Sequence, residues 1–413
     1  MKNTDLRSFD RTQRTVFGLL SRALFGAAYT PEPDVDWNAV YEESECQAVR
    51  LQAFSNHHLI PDIPAELRER IRRYLVHAML RSTRIHSQHT EVHRLMTEAG
   101  IPYTVLKGAA SAAYYPSPMT RAMGDVDFYV DKAHLEEALS LFERQGFTLS
   151  ETSHICHRVL RRGDCHLELH FELPGLPDGE VGQTIRGYTA DLCESATLLK
   201  SSLVTCNRPS DLHHGLIMLM HLQHHLLAEG IGLRHLCDWA VFVHSFREGE
   251  FPALFGDKLR AVGLWRLARL LSLSAVLYIG LPEQGWMREE PRDEEVARDL
   301  MRDILAGGNF GRKDRQRAYE GMFISDRGKD GVKGHRVREG FRALNRISYL
   351  KFPPSKRCPL LLPIGWVISV TGYLFRNRRR NRNGNRVHAV DAYKKSAARI
   401  ELYQKLGLYE PET

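Results

Sequence analysis

Two aspartates separated by one valine, Asp125 and Asp127 in RAMGDVDF (121–128), are the residues of this chain best suited to chemistry. In an extended strand, positions i and i+2 point to one face, so both carboxylates project together while Val126 and Phe128 turn inward. Like charges this close are unfavourable unless a cation sits between them. Mg2+ (or Mn2+) suits such a pair, because it takes carboxylate oxygens and keeps positions for phosphate oxygens. HLELHF (166–171) repeats the alternation, with Leu167, Leu169 and Phe171 on one face and His166, Glu168 and His170 on the other. Glu168 on a neighbouring strand would add a third acid and complete a two-metal site. His166 and His170 are expected to support the ligands or face the substrate, since hard cations prefer oxygen. The alternative is an edge strand with solvated, incidental acids.

Upstream, IPYTVLKGAA (101–110) reads as a strand, a glycine turn and a helix start. Such a turn offers backbone N–H groups and a positive dipole end to an anion, and Gly108 lets the backbone approach closely. Lys107 adds a point charge for a phosphate, and Arg121 is a second candidate.

The elements that must position these groups follow from periodicity. Residues 10–98 have helical spacing, with Leu67, Ile71, Tyr74 and Ala78 recurring every three to four residues, and Gly100 and Pro102 end that run. Between 101 and 172 strands are expected at Tyr103–Leu106, around Asp125–Val130, at Ile155–Leu160 and at His166–Leu173, with helices at Ala109–Tyr115 and Ala133–Gln145. That is an α+β fold with a mixed or mainly antiparallel sheet. Residues 190–282 return to helical spacing, including helices at Leu212–Leu226 and Leu236–Phe246. EEPRDEE (289–295) reads as a linker or surface helix and GGNFG (307–311) as a loop. The expected organisation is a helical region at 1–98, a catalytic domain at 99–190, a helical domain at 191–325 and a basic region at 326–413.

The order LKG (106–108), RAMGDVD (121–127), His154 and ELH (168–170) resembles the uncharacterised bacterial nucleotidyltransferase family of the polymerase-β-like superfamily. GIGLRHLCDW (230–239) and GGNFG (307–311) resemble further parts of that family, so the similarity runs over roughly 35–315. Lys107 and Gly108 stand where the superfamily usually has a Gly-Ser turn. The resemblance implies a nucleotidyltransferase-type sheet flanked by helical regions, with an NTP substrate. It implies that Asp125, Asp127 and Glu168 hold two metal ions, with Glu168 also a candidate general base. It implies that Lys107, Gly108 and Arg121 hold phosphates, and that a nucleotide, expectedly AMP, passes to a hydroxyl as pyrophosphate leaves. Arg234 is expected to contact the nucleotide, against the plainer alternative of an i,i+4 ion pair with Asp238. His154, His166, His170 and Asp238 are candidates for acceptor contact or for support of the ligands. His221 and His225 share a helix face but lack the H-E-x-x-H pattern, so a base- or acceptor-contacting role is favoured over zinc. The competing functions are a nucleotide- or ligand-binding protein without turnover and a membrane- or RNA-associated basic module.

Composition bounds the rest. The chain has 413 residues, 43% hydrophobic and 26% charged, with a formal charge of +7, which suits a globular protein with a sizeable core. Seven scattered cysteines without a C-x-x-C pair read as reduced thiols, and MKNTDLR lacks a signal-peptide core, so a cytoplasmic protein is expected. Cys358–Phe375 is apolar but short and broken by prolines and glycines, and RNRRRNRNGNR (376–386) follows it. A buried segment with a solvated basic loop is one reading. Peripheral contact with an anionic membrane at its inner face through 358–386 is another. No stable nucleic-acid partner is expected, because aromatic residues do not interleave with the arginines. A last helix is expected at Val390–Leu406.

Overall fold

The structure is a computed structural model. It describes residues 6–60, 62–151, 154–289, 293–314 and 317, then 345, 348, 349, 352, 354–368, 371 and 399–408. The N-terminal helices are α1 (Arg11–Phe25), α2 (Trp37–Cys46), α3 (Arg50–Phe54) and the long α4 (Ala65–Glu98). Asp10 and Gln13 close a capping box on α1, and Gly26, in the left-handed region, ends it. Helix α4 buries Leu67, Ile71 and Leu75 in one hydrophobic core and Ile85, Val92, Leu95 and Met96 in a second. One 34-residue helix thereby joins the two halves of the molecule.

The second core belongs to the sheet. Strands β1 (Thr104–Val105), β2 (Val126–Tyr129), β3 (Thr148–Glu151), β4 (His157–Arg162) and β5 (Cys165–His170) assemble in the order β1-β2-β5-β4-β3. Only β2 and β5 run parallel, and the other neighbours are antiparallel, so the sheet is mixed. Helix α5 (Ala109–Ala112) follows β1, and α6 (Leu135–Arg144) follows β2. Val126, Phe128, Leu167 and Leu169 are fully buried on the core face, as their alternation requires.

Beyond the sheet come α7 (Gly179–Tyr188), a hairpin of β6 (Thr197–Lys200) and β7 (Thr205–Arg208), then α8 (Asp211–Leu227), α9 (Leu233–His244), α10 (Glu250–Ala261), α11 (Trp265–Ser274) and α12 (Glu294–Gly307). Helix α8 buries residues almost all round, which places it in the interior rather than on a surface. The core of the N-terminal helices is continuous with that of α8 to α12.

Several expected elements differ. The helical reading from 190 onward missed the β6–β7 hairpin, whose strands pair Thr197 with Arg208 and Lys200 with Thr205. Strand β3 was not anticipated. The helix expected at Ala109–Tyr115 is one turn, Ala109–Ala112. The helix expected from Ala133 begins as a 3-10 turn at Lys132–His134 and becomes α-helical at Leu135. Of EEPRDEE, Glu294 and Glu295 open α12, while 290–292 lie outside the described residues. Of Cys358–Phe375, a 3-10 turn at Pro359–Leu361 leads into helix through 368. The basic run 376–386 and the start of the Val390–Leu406 helix lie outside the described residues, and 399–406 is helical. Among the described residues, no helix is long and apolar enough to cross a membrane. The seven cysteines are all free thiols.

Candidate active site

The two interior strands carry the acids. In the parallel β2–β5 pair, Asp127 stands level with Glu168, and Val126 with Leu167. Asp125, just before β2, therefore falls beside His166, and all these polar side chains share the face away from the core. Asp125, Asp127 and Glu168 line one wall of a cleft of about 300 Å³, together with Lys107, Gly108 and Arg121. The facing wall comes from α8 and α9 and carries His214, His221, His225, Arg234, His235 and Asp238. Phe310, from the turn after α12, stands at its margin.

The acids differ in charge state. Burial, then the charges of Asp127 and Glu168, push Asp125 up to about 6. Burial also acts against the Asp127 carboxylate, but Lys107 and His170 outweigh it and hold Asp127 well below the usual range. Lys107 Nζ lies 3.4 Å from Asp127 Oδ2, and His170 Nε2 lies 3.2 Å from Oδ1. A hydrogen bond from His170 likewise lowers Glu168, with Nε2 3.5 Å from Oε2. Burial pulls His170 down, but its two carboxylate partners leave it raised overall. At neutral pH Asp125 is thus the strongest base of the three acids, and Glu168 is a weak one.

The donor set fits a divalent cation. The oxygen donors Asp125, Asp127 and Glu168 share one face, where a cation would compete with Lys107 and His170 for the carboxylates of Asp127 and Glu168. Among the described residues, ligand atoms approach within 4.8 Å in two groups that share Glu168: Asp125 with His166, and His157 with His170. A mixed nitrogen and oxygen set accepts Mn2+ more readily than a purely oxygen one would. Asp127, His221 and His225 belong to neither group, and the Asp127 oxygens face His170 and Lys107 instead.

The phosphate side is built differently from its sequence expectation. Gly108 has φ +59°, and a Cβ there would lie 2.8 Å from His89 Nε2, so only glycine fits this turn. The following helix has one turn, so its dipole is small, and Lys107 supplies the main positive charge. Arg121 is buried and gives Nε and Nη2 to Asp238, both at 2.8 Å, while the Tyr115 hydroxyl donates to the same carboxylate at 2.6 Å. The Arg234–Asp238 ion pair, the plainer alternative for Arg234, is therefore not what forms. The planar fork of Arg121 matches the carboxylate bidentately and takes it. Arg234 has no carboxylate partner among the described residues, its Nε lacks a hydrogen-bond partner, and burial pushes its pKa down. Its Cζ lies 5.6 Å from the Phe310 ring centre.

The remaining candidates stand outside the cleft lining. His170 backs the acids, and His166 neighbours Asp125. His154 is exposed and stacks on His157 at 3.8 Å. The cleft also includes residues that sequence reasoning did not single out, chiefly Phe310 and Ser111 beside His214, while Tyr115 holds Asp238 from outside the lining. An aromatic residue between glycines in GGNFG was the available signal for Phe310.

His235 has a defined tautomer. Its Nδ1 accepts the Gly232 N–H at 3.3 Å, so in the neutral ring Nε2 carries the proton, and that buried donor has no partner among the described residues. Burial, then Arg234, hold His235 neutral, and burial, then Lys107, do the same for His221. This wall thus sets the neutral rings of His214, His221 and His235 beside the Arg234 cation.

Residues 33–280, well over half of the chain, match the sequence family described as uncharacterised nucleotidyltransferase. No curated protein matches the chain.

Proposed function

We propose, from the premise that this chain belongs to the uncharacterised nucleotidyltransferase family, that it transfers a nucleoside monophosphate, expectedly AMP, from an NTP to a hydroxyl acceptor. The observation that carries this reading is the level pairing of Asp127 with Glu168 beside Asp125, opposite a wall of rings and a cation. Asp125, Asp127 and Glu168 would hold Mg2+ or Mn2+, which when bound neutralises phosphate oxygens and acidifies a hydroxyl. Lys107, released from Asp127, would bind the leaving phosphates, and the Gly108 turn lets them approach the backbone. Arg234 supplies charge from the facing wall. Arg121 acts chiefly by tying that wall to the sheet through Asp238.

In the transfer, the acceptor oxygen forms a bond to the α-phosphorus, and the bond to the bridging oxygen breaks. Pyrophosphate leaves with that electron pair, and the acceptor proton passes to the carboxylate cluster or to water.

The test is incubation with each of four α-labelled NTPs and Mg2+ or Mn2+, with hydroxyl acceptors and with the protein alone. Label transfer or pyrophosphate release lost in Asp125→Ala supports the reading. Turnover that survives the substitution sinks it, and tight NTP binding without turnover on any acceptor favours a binding protein.

A second reading concerns the C-terminal region. Leu360, Ile364 and Val367 are 87%, 50% and 61% exposed, and an arginine-rich run follows in the sequence. An apolar helix face with basic residues following it in the sequence fits peripheral contact with an anionic membrane. Salt-sensitive sedimentation with anionic but not neutral vesicles, lost in the full chain carrying Leu360→Ser, Ile364→Ser and Val367→Ser, supports it. Equal sedimentation of that variant refutes it.

A further inference from the structure

Phe310 combines three unusual properties. Its backbone is left-handed at φ 55°, ψ 43°, its ring is 40% exposed at the cleft, and aromatic partners surround it. Non-glycine residues are held in that region only where the surroundings over-determine them, and such positions gather at binding sites. The His225 ring lies 4.6 Å away and the His235 ring 5.1 Å away.

The surroundings that fix Phe310 are identifiable. Asn309 packs against Gly232 so closely that a Cβ on Gly232 would lie 2.8 Å from the Asn309 Cα. The glycines of GIG and GGNFG thus let two loops interlock. Arg317 grips Asp303 of α12 through both nitrogens, at 3.1 and 3.0 Å, closing the base of the Phe310 turn. This ion pair is buried, and the helix at 399–406 covers it. Arg399 Nε lies 3.6 Å from Asp303, and its Nη2 donates to the Leu226 carbonyl at 3.0 Å. The Tyr403 hydroxyl accepts from Arg399 and donates to Leu226 at 2.6 Å. A charged network of this kind holds its geometry when it is dry and fully bonded.

We propose that Phe310 is the platform of a subsite for a planar heteroaromatic ring, the nucleobase of the substrate, and that the C-terminal helix at 399–406 holds this platform in place. The proposal rests on the nucleotidyltransferase reading for the identity of the ring. The helix and Phe310 lie beyond the matched residues 33–280, and the resemblance of GGNFG to the family gives Phe310 no role. A base on Phe310 would meet the Nε2–H of His235 as a donor to a ring nitrogen or carbonyl. Arg234 would stand beside the same ring. Asp303, Arg317, Arg399 and Tyr403 are positioning residues that act through Phe310.

The experiment uses the full chain and four proteins: wild type, Phe310→Ala, Tyr403→Phe and the double variant. Hydrogen exchange over 307–313 is followed, and MgATP affinity is measured by calorimetry. Tyr403→Phe is expected to raise exchange in 307–313 while β2 and β5 stay protected, and to weaken MgATP by about 3- to 10-fold, the equivalent of one hydrogen bond. In the Phe310→Ala background it is expected to cause no further loss. Unchanged exchange in 307–313 overturns the positioning role. Equal losses in both backgrounds overturn action through Phe310. Wild type that binds MgATP while Phe310→Ala binds equally well overturns the ring subsite but leaves the nucleotidyltransferase reading intact. Wild type that does not bind any of the four NTPs overturns that reading and the ring subsite together, while the exchange data still decide the role of the helix.

Discussion

Asp125→Asn is expected to stabilise the metal-free protein while removing a metal ligand. The Asp125 carboxyl titrates at about 6 against an ordinary value of 3.8, because burial and two neighbouring acids penalise its charge. An acid whose folded pKa is raised binds its proton more tightly in the folded state, so ionising it costs stability. That cost is absent below 3.8, grows as pH rises through the window to about 6, and is constant above it. At about 1.4 kcal/mol per pKa unit, the full cost is about 3 kcal/mol at pH 8 and about half of that at pH 5. An uncharged amide of the same shape avoids it. Thermal unfolding in EDTA at pH 8 should therefore place the Asn variant above wild type, with a smaller gap at pH 5. Adding Mn2+ should raise the wild-type midpoint by mass action and move the variant little. A variant less stable than wild type in EDTA at pH 8, or a gap independent of pH, would refute the charge argument. Equal stabilisation of both proteins by Mn2+ would remove Asp125 from the metal site.

Asp238→Asn should cost about 3–5 kcal/mol in urea denaturation, because it leaves buried Arg121 without its carboxylate; a change under 1 kcal/mol would show that the pair does not join sheet and helices. Gly108→Ala should destabilise by about 1–3 kcal/mol from backbone strain alone, with weaker MgATP binding from contact with His89; wild-type affinity and melting would show that the turn is not restricted. Lys107→Met should tighten Mn2+ binding without nucleotide, since the lysine competes for Asp127, and weaken MgATP; opposite signs in calorimetry would contradict its two roles.

The acid side of the cleft was legible because strand alternation is local. Once Val126, Phe128, Leu167 and Leu169 are assigned to the core, Asp125, Asp127 and Glu168 must share the other face. Periodicity alone could not specify which strands neighbour one another, yet β2 and β5 being parallel and adjacent is what sets Asp127 beside Glu168. The helical wall was partly legible through its histidines. The partner of Asp238 was not, because the i,i+4 rule sees only Arg234, whereas Arg121 and Tyr115 lie more than 100 residues away in the chain. The β6–β7 hairpin was missed because its strands are four residues each, too short for a periodic signal to outweigh the helical context. Phe310 was hidden for a different reason: its left-handed backbone, which sets it at the cleft margin, leaves no trace in periodicity.

The most direct measurement is a crystal structure of the protein with Mn2+ and a non-hydrolysable NTP, using anomalous scattering to locate the metal. Anomalous density touching Asp125, Asp127 and Glu168, with triphosphate oxygens on it and Lys107 turned from Asp127 to phosphate, is the predicted result. Metal bound elsewhere, or a nucleotide seated away from the three acids, would contradict the account.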